Sequence, residues 1–460
     1  MARRINLLMM KIKNAEGVIR GDRRRADALD ILKAGIEAVM PENVIRNSVR
    51  LERNVLDVGG RRYDISGYRN IYVAGGGKAS GTMAVALEKI LDGRITAGIV
   101  NDRYGVEVKT RTIKVNHAGH PLPTEDGVRG VKEMLDMLAR GGPGDLVVFF
   151  ISGGGSALLP FPAEGISLED CIGLTDLLLK SGARIAEMNA VRKHVSAIKG
   201  GRFLKYTGGA AVISLIVSDV VGDDISFISS GPTAPDATTY AEALAVLEKY
   251  DIYDNTPASI KVRLENGVRG EIPETPKPGD PIFERVNNVV VAGNIIALEA
   301  AAKKAFELHY RPLILGSCII GESREVGLVL SGIAKECLKS GNPVEPPAAI
   351  ISGGETTVTI RGSGKGGRNQ ELVLGFLQNY TPGATIVSAD TDGIDGVTDA
   401  CGAIADGTTL ERAKKGGLFI ADALKENSSY DFFRSLGDLI FTGPTGTNVS
   451  DLRLILVYRD

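Results

Sequence analysis

The chain alternates short apolar runs with amphipathic stretches along most of its length. Leu29, Leu32, Ile36 and Val39 recur at helical spacing and predict a helix over 26–40. A strand over 70–74, a helix over 81–91 and a strand over 97–101 follow. Val128, Val131, Leu135 and Leu138 then share one face of a helix over 125–138. The run 146–151 is apolar throughout, as in a parallel strand covered on both faces. A second series begins with a strand ending at Val291 and Ala292 and a helix over 295–306, and continues through strands at 311–315, 350–354 and 385–390. Thr357 to Ile360 also alternates like a strand.

Strands alternating with helices imply an α/β fold with a doubly wound sheet. At 460 residues the chain exceeds the size of one ordinary core. Seven prolines fall between Pro232 and Pro281, around a predicted helix over 240–249. The expected organisation is therefore a Rossmann-like domain over 1–245, a Pro-rich connection over 246–284 and a second α/β domain over 285–460. Three strand-end signatures recur in order in both halves: Val73-Ala74-Gly75 with Val291-Ala292-Gly293, Ile151-Ser152-Gly153 with Ile351-Ser352-Gly353, and Val217-Ser218-Asp219 with Val387-Ser388-Ala389-Asp390. Duplication would produce this, and so would the habit of α/β strands to end in small residues.

Composition narrows the possible partners. Lys plus Arg (54) nearly balances Asp plus Glu (56), so no global field attracts nucleic acid or an anionic membrane. The four cysteines form no CxxC pair, which argues against a disulfide framework or a zinc site; Cys171 and Cys401 read as packing residues. Arg3 and Arg4 precede an apolar stretch from Leu7 that Lys11 cuts short of a signal sequence. No run is long enough to span a membrane. A soluble cytoplasmic enzyme is expected, and the scarcity of glutamine hints at a thermophilic source.

Four glycine-rich segments follow apolar runs: Gly75-Gly76-Gly77-Lys78, Ser152-Gly153-Gly154-Gly155-Ser156, Ser352-Gly353-Gly354-Glu355 and Gly362-Ser363-Gly364-Lys365-Gly366-Gly367-Arg368-Asn369. Glycine lets backbone N–H groups converge on an anion, so phosphate or carboxylate binding is expected. Gly75, Gly76, Gly77, Ser152, Gly153, Gly154, Gly155 and Ser156 are the candidate nucleotide cradle. Lys78 sits at a strand-to-helix turn where a helix N-terminus adds its own attraction. The segment ending at Arg368 has Walker-like glycine spacing without the final Lys-Ser/Thr, so it is no P-loop. Arg368 at a helix start would clamp a phosphate or carboxylate.

Carboxylates supply the remaining parts of a phosphoryl-transfer site. Asp390, Asp392 and Asp395 follow one strand and Asp219 another, where open α/β sheets place ligands. A calcium loop would need a glutamate where Cys401 stands, so Mg²⁺ held by Asp219, Asp390 and Asp392 with nucleotide phosphates fits better. In the basic segment 189–202, Arg192, Ser196 and Lys199 would share a helix face and offer a substrate-carboxylate contact. His117 and His120 are either a base or loop structure. Gly75-x-Gly77-x-x-Ser80 fails the last glycine of the dinucleotide fingerprint, although Asp102 imitates its ribose acid. Ser156 lies outside a nucleophile elbow.

Taken together, these segments resemble the glycerate 2-kinases whose C-terminal half carries the MOFRL domain. The likeness runs through His117 to Pro123, Asn189 to Phe203, Ser230 to Thr233, Asp390 to Gly402 and Thr442 to Leu452 as well as the glycine-rich segments. It implies ATP- and Mg²⁺-dependent phosphorylation of D-glycerate in a cleft between the two domains, by a monomer or homodimer. It also places the family's active-site lysine and arginine on Lys78 and Arg368 and its aspartates on Asp219 and Asp392. Asn369, next to Arg368 at the helix start, is a further candidate for substrate binding. The family pattern has a glycine where this chain has Asp390, which leaves the metal and base roles of Asp390, Asp392 and Asp395 open. The rival readings are an NAD(P)H-dependent hydroxypyruvate reductase and a noncatalytic sensor of sugar acids or nucleotides.

Overall fold

In a computed structural model, residues 10–459 are described. Arg3, Arg4 and the apolar residues Leu7, Leu8 and Met9 lie outside them. By internal contact the chain divides into two compact units, one comprising residues 44–291 and the other residues 1–43 with 292–460.

The first unit is built on a six-stranded sheet in the order Ile113–Ala118, Ala97–Arg103, Ile71–Gly76, Leu146–Ile151, Ala211–Val217, Val286–Ala292. The first five strands pair in parallel. In chain order this is 3-2-1-4-5-6, the doubly wound dinucleotide-fold order, whose crevice lies where the chain reverses direction between strands 1 and 4. Those strands are Ile71–Gly76 and Leu146–Ile151, both buried along their whole length. The helix Glu125–Leu138 sends Val131, Met134, Leu135 and Leu138 into the same core as Phe149 and Phe203.

Two sequence boundaries move. The Pro-rich segment is no loose connection, because it contains the helix Ala258–Val268, whose Ile260 and Leu264 are buried with Leu174, Leu178 and Leu247. The N-terminal helix, Arg23–Ala38, belongs to the unit formed by the C-terminal half. Its Arg25 explains why: the buried guanidinium donates to Asp406 at 2.5 Å, Asp438 at 2.9 Å and the Val18 carbonyl at 3.0 Å.

That second unit holds a mixed sheet in the order Arg311–Ile319, Ala348–Gly354, Asp451–Val457, Ala384–Asp390, Gly402–Ala405, Leu439–Ile440. The C-terminal strand Asp451–Val457 runs antiparallel between its two neighbours. Its register sets Asp451 opposite both Gly354 and Asp390. The two sheets thus differ in topology despite their shared strand-end signatures. Thr357 to Ile360 forms no strand: Thr357 makes one isolated bridge to Glu322, and Ile360 is 80% exposed because no sheet edge receives it.

Close approach of strands 1 and 4 demands glycine at Gly75, where φ is +133° and a Cβ would lie 2.2 Å from the Phe150 carbonyl oxygen. Gly75→Ala should therefore lower stability by roughly 3 kcal/mol or more, from backbone strain and overpacking together. Gly173, inside the helix Leu168–Lys180 with nothing within 4 Å of a Cβ, should behave oppositely. Gly173→Ala should stabilise by about 0.5–1 kcal/mol. Urea unfolding of both variants checks the pair; equal effects would contradict it.

Candidate functional site

Each unit gathers its own group of predicted residues at strand ends. In the first unit, Lys78 follows strand 1 and the turn at Ser152 to Gly155 follows strand 4, at the crossover crevice. The Lys78 N–H donates to the Gly153 carbonyl at 2.9 Å, which ties the two turns together. Each glycine of the second turn makes room for a side chain. A Cβ on Gly153 would lie 2.5 Å from Asp219 Oδ2, and one on Gly155 would lie 2.0 Å from Ser229 Oγ. One on Gly154 would lie 2.8 Å from the His120 ring and 3.0 Å from Lys78 Cε. Lys78, His120 and Asp219 therefore converge on two consecutive glycines, Gly153 and Gly154.

The backbone cradle is narrower than the sequence implies. Gly75 and Gly76 belong to strand 1, and Gly77 and Gly155 donate to the carbonyls of Asn101 and Ser152. Gly153 and Gly154 keep N–H groups with no acceptor among the described residues. Ser156 Oγ lies 3.3 Å from Ser230 Oγ. His120 joins the site through its ring; burial, then the charges of Lys78 and Arg103, hold its pKa below the ordinary imidazole value, so it is neutral at pH 7. His117 is exposed.

Arg192 and Lys199 come together, though not on one helix face. The helix Ile185–His194 ends before Ser196, and the chain then turns so that Arg192, Ser196 and Lys199 line one pocket with Ser156 and Cys171. Cys171 is inert there, with burial pushing its thiol up to about 11. Cys401 is fully enclosed and pushed up to about 12 by burial.

In the second unit, Arg368 opens the helix Arg368–Leu377. Its Nε donates to Asp451 at 2.8 Å, Nη1 to Glu355 at 2.9 Å and Nη2 to Asp390 at 2.6 Å. Three of its five N–H donors are thus spent, and two remain on a side chain that is 23% exposed. Burial works against the guanidinium charge, but Asp451 and then Asp390 more than offset it and raise its pKa. Asp390 sits at the other extreme: burial, then the charges of Asp392 and Asp451, lift its carboxyl well above the ordinary carboxylate value despite Arg368. Glu355 and Asp451 are site residues that composition and spacing do not single out. Only the sheet register, which sets Asp451 between Gly354 and Asp390, reveals them.

Three expectations are corrected here. Asn369 is fully buried, its amide nitrogen donating to Asp395 and Asp451 and its oxygen accepting from Ser388, so it positions carboxylates and does not face a substrate. Asp395 accepts from the backbone of Asn369 and Gln370 and caps the helix start; burial pushes it up to about 6. The glycines from Gly362 to Gly367 do not cradle an anion. Cβ atoms on Gly362, Gly364 and Gly366 would lie within 2.6 Å of Glu426, Ser428 or Ser429, and the N–H groups of Gly362 and Gly364 already donate to Asn427 and Glu426. Gly353 and Gly354 lie within a strand and likewise allow close approach, to Asn294 and Ile319.

Among the described residues no group of three or more His, Cys, Asp or Glu forms a ready metal cage. A dinucleotide site is also disfavoured. Asp102, the residue that would take a ribose, is fully buried, accepting from the Gly81 N–H at 2.8 Å and the Arg103 N–H at 2.7 Å.

Residues 27–265 match a family described as a domain of unknown function, DUF4147, and residues 348–451 match the MOFRL family. The chain is 43% identical to the glycerate 2-kinase of Pyrococcus horikoshii, over 94% of this chain and 97% of that protein. It is also 43% identical to a putative hydroxypyruvate reductase of Agrobacterium vitis, over 84% of this chain and 86% of that protein. The crystal structure of a glycerate kinase from Thermotoga maritima superposes with a TM-score of 0.84 at 38% identity, covering 94% of this chain and 99% of that one. The chain therefore belongs to the glycerate kinase family that joins a DUF4147 region to a MOFRL domain.

Proposed function

We infer that the protein is a glycerate 2-kinase, transferring the γ-phosphoryl group of ATP to the 2-hydroxyl of D-glycerate and releasing 2-phosphoglycerate and ADP. The family and the names of its well-covered relatives support the activity. The observation that carries it at the site is the convergence of Lys78, His120 and Asp219 on Gly153 and Gly154, at the crossover crevice. A cation, two unpaired N–H groups and a carboxylate are what in-line transfer to a hydroxyl requires. The reductase name carried by some relatives finds no support in the buried Asp102, which already accepts two backbone N–H groups.

Lys78 would offset charge on the transferring group. Asp219 would accept the hydrogen bond of the attacking hydroxyl and take its proton as the bond to phosphorus forms. Gly153 and Gly154 would offer their N–H groups to phosphate oxygens.

The residues present fit a divalent cation. Glu355, Asp390, Asp392 and Asp451 outnumber Arg368 and Arg453, and the crowding that lifts Asp390 is relieved by added positive charge. Asp390 and Asp392 would hold Mg²⁺ together with nucleotide phosphates, where it supplies charge neutralisation. The two compact units are then its functional domains. No described helix is long and apolar enough to cross a membrane, and four free cysteines suit a cytoplasmic setting.

Purified protein with ATP, Mg²⁺ and D-glycerate should release ADP, and the product should be converted by enolase without a mutase. ADP release no greater than in the glycerate-free control would sink the assignment. Lys78→Ala should lower kcat by about 10³-fold or more with an unchanged melting temperature. Arg368→Lys should lower both activity and stability, the latter by about 1–3 kcal/mol, because an ammonium cannot hold three carboxylates in a planar fork. An Arg368→Lys protein as stable as wild type would show that the fork does not hold the cluster.

A further inference from the structure

The basic segment 189–202 spends most of its charge inside the fold. Lys193 pairs with Asp236 at 3.2 Å, and Arg202 donates to the carbonyls of Lys193 and Ser196 and to the Tyr240 hydroxyl. His194 lies between the Ala190 carbonyl and Glu274. Arg192 and Lys199 differ. Neither has a carboxylate partner among the described residues. Lys199 is 6% exposed, and its only acceptors there are the Ser156 and Ser229 carbonyls, both at 3.4 Å. The Arg192 side chain has no hydrogen-bond partner among the described residues.

Buried charges are ordinarily paired, and two cations lining one cavity raise each other's energy. Burial first and Arg192 second pull the Lys199 ammonium down to about 7. An anion in the cavity would relieve both. The cavity offers about 70 Å³ of accessible space, with the Ser156 and Ser196 hydroxyls beside the cations and Phe161 and Leu174 among its apolar walls. Since roughly 10–15 Å³ of such space holds one water, a small carboxylic acid can enter.

The cavity is continuous in sequence with the Lys78 group. Ser156 stands two residues beyond Gly154, against which Lys78 and His120 lie, and Pro123 of the cavity wall stands three residues beyond His120.

We propose that Arg192 and Lys199 form the pocket for the carboxylate of the phosphoryl acceptor, so that the hydroxyl on the adjacent carbon is the one presented to Lys78 and Asp219. This rests on the kinase reading above and extends it. The acceptor class becomes short 2-hydroxy acids with an ionised carboxylate, and the choice of the 2-hydroxyl over the 3-hydroxyl becomes a consequence of where the carboxylate is held.

The test compares wild type with Arg192→Met, Lys199→Met and Arg192→Lys. Each methionine variant should raise KM for D-glycerate by about 10- to 100-fold while leaving KM for ATP within about twofold. The wild-type preference for D-glycerate over its amide should collapse in both variants, and Arg192→Lys should restore part of it. A merely structural role would not move that preference. An unchanged KM for glycerate, or an unchanged preference for acid over amide, would overturn the proposal. If Lys199→Met fails to fold, the half-buried Arg192 still carries the test. If wild type shows no glycerate-dependent ADP release, the kinase reading fails by itself. Calorimetric titration with D-glycerate and with lactate then decides the pocket: binding lost in Arg192→Met supports it, and no binding to wild type refutes it.

Discussion

The guanidinium of Arg368 is the constraint on which the second unit's strand ends depend. Sheet register forces Asp390 and Asp451 side by side, because the last strand runs antiparallel between two neighbours and its first residue meets their carboxyl ends. Two buried carboxylates so placed repel each other, and each loses hydration. Arg368 supplies both with a donor and takes Glu355 as a third. Arg453 binds the other oxygen of Asp451 at 2.7 Å, and Asn369 braces Asp451 from the first turn of the helix that carries Arg368. The charges still do not balance. Four carboxylates face two guanidiniums, and the surplus is what a cation would answer.

In the first unit the corresponding constraint is steric. Strands 1 and 4 approach so closely at their carboxyl ends that side chains at Gly75, Gly77 and Gly153 to Gly155 would collide with backbone or with Ser152, Asp219, His120 and Ser229. The glycines therefore do two things at once. They let adjacent turns lock through the Lys78 N–H, and they bring Lys78, His120 and Asp219 against one turn. That turn lies where strand order reverses, the place at which doubly wound sheets open a crevice.

The strands, their alternation with helices and the place of Lys78 at a strand-to-helix turn were legible because each is a local signal: an apolar run, a period, a cation after glycines. The expectations that failed share one cause. Glycine marks either an exposed N–H or a close approach, and the neighbour that decides between them is distant in sequence. At Gly362 to Gly366 that neighbour is the segment from Glu426 to Ser429, some sixty residues on, so the anion cradle read there is in fact a packing seam. Arg25 shows the same limit at the level of domains. The amphipathic helix it belongs to is plain in the sequence, but its attachment to the far end of the chain rests on Asp406 and Asp438. Asp451 stayed hidden because an antiparallel strand carries its site residue at its start, whereas parallel strands carry theirs at the end.

The basic segment around Arg192 makes a different point. Its helical spacing was the wrong reason for grouping Arg192, Ser196 and Lys199, since the helix stops at His194, yet the three do line one cavity. What distinguishes Arg192 and Lys199 from Lys193 and Arg202 is invisible in the sequence. All four are basic residues within eleven positions, and only the folded chain shows which have partners. Asp236 satisfies Lys193, while backbone carbonyls and Tyr240 satisfy Arg202. The cations left over in this unit, like the carboxylates left over in the other, are charges the protein does not compensate for itself. A glycerate kinase has to hold a carboxylate and a string of phosphates, and a folded chain that retains unpaired charges forgoes the stability that pairing them would have given.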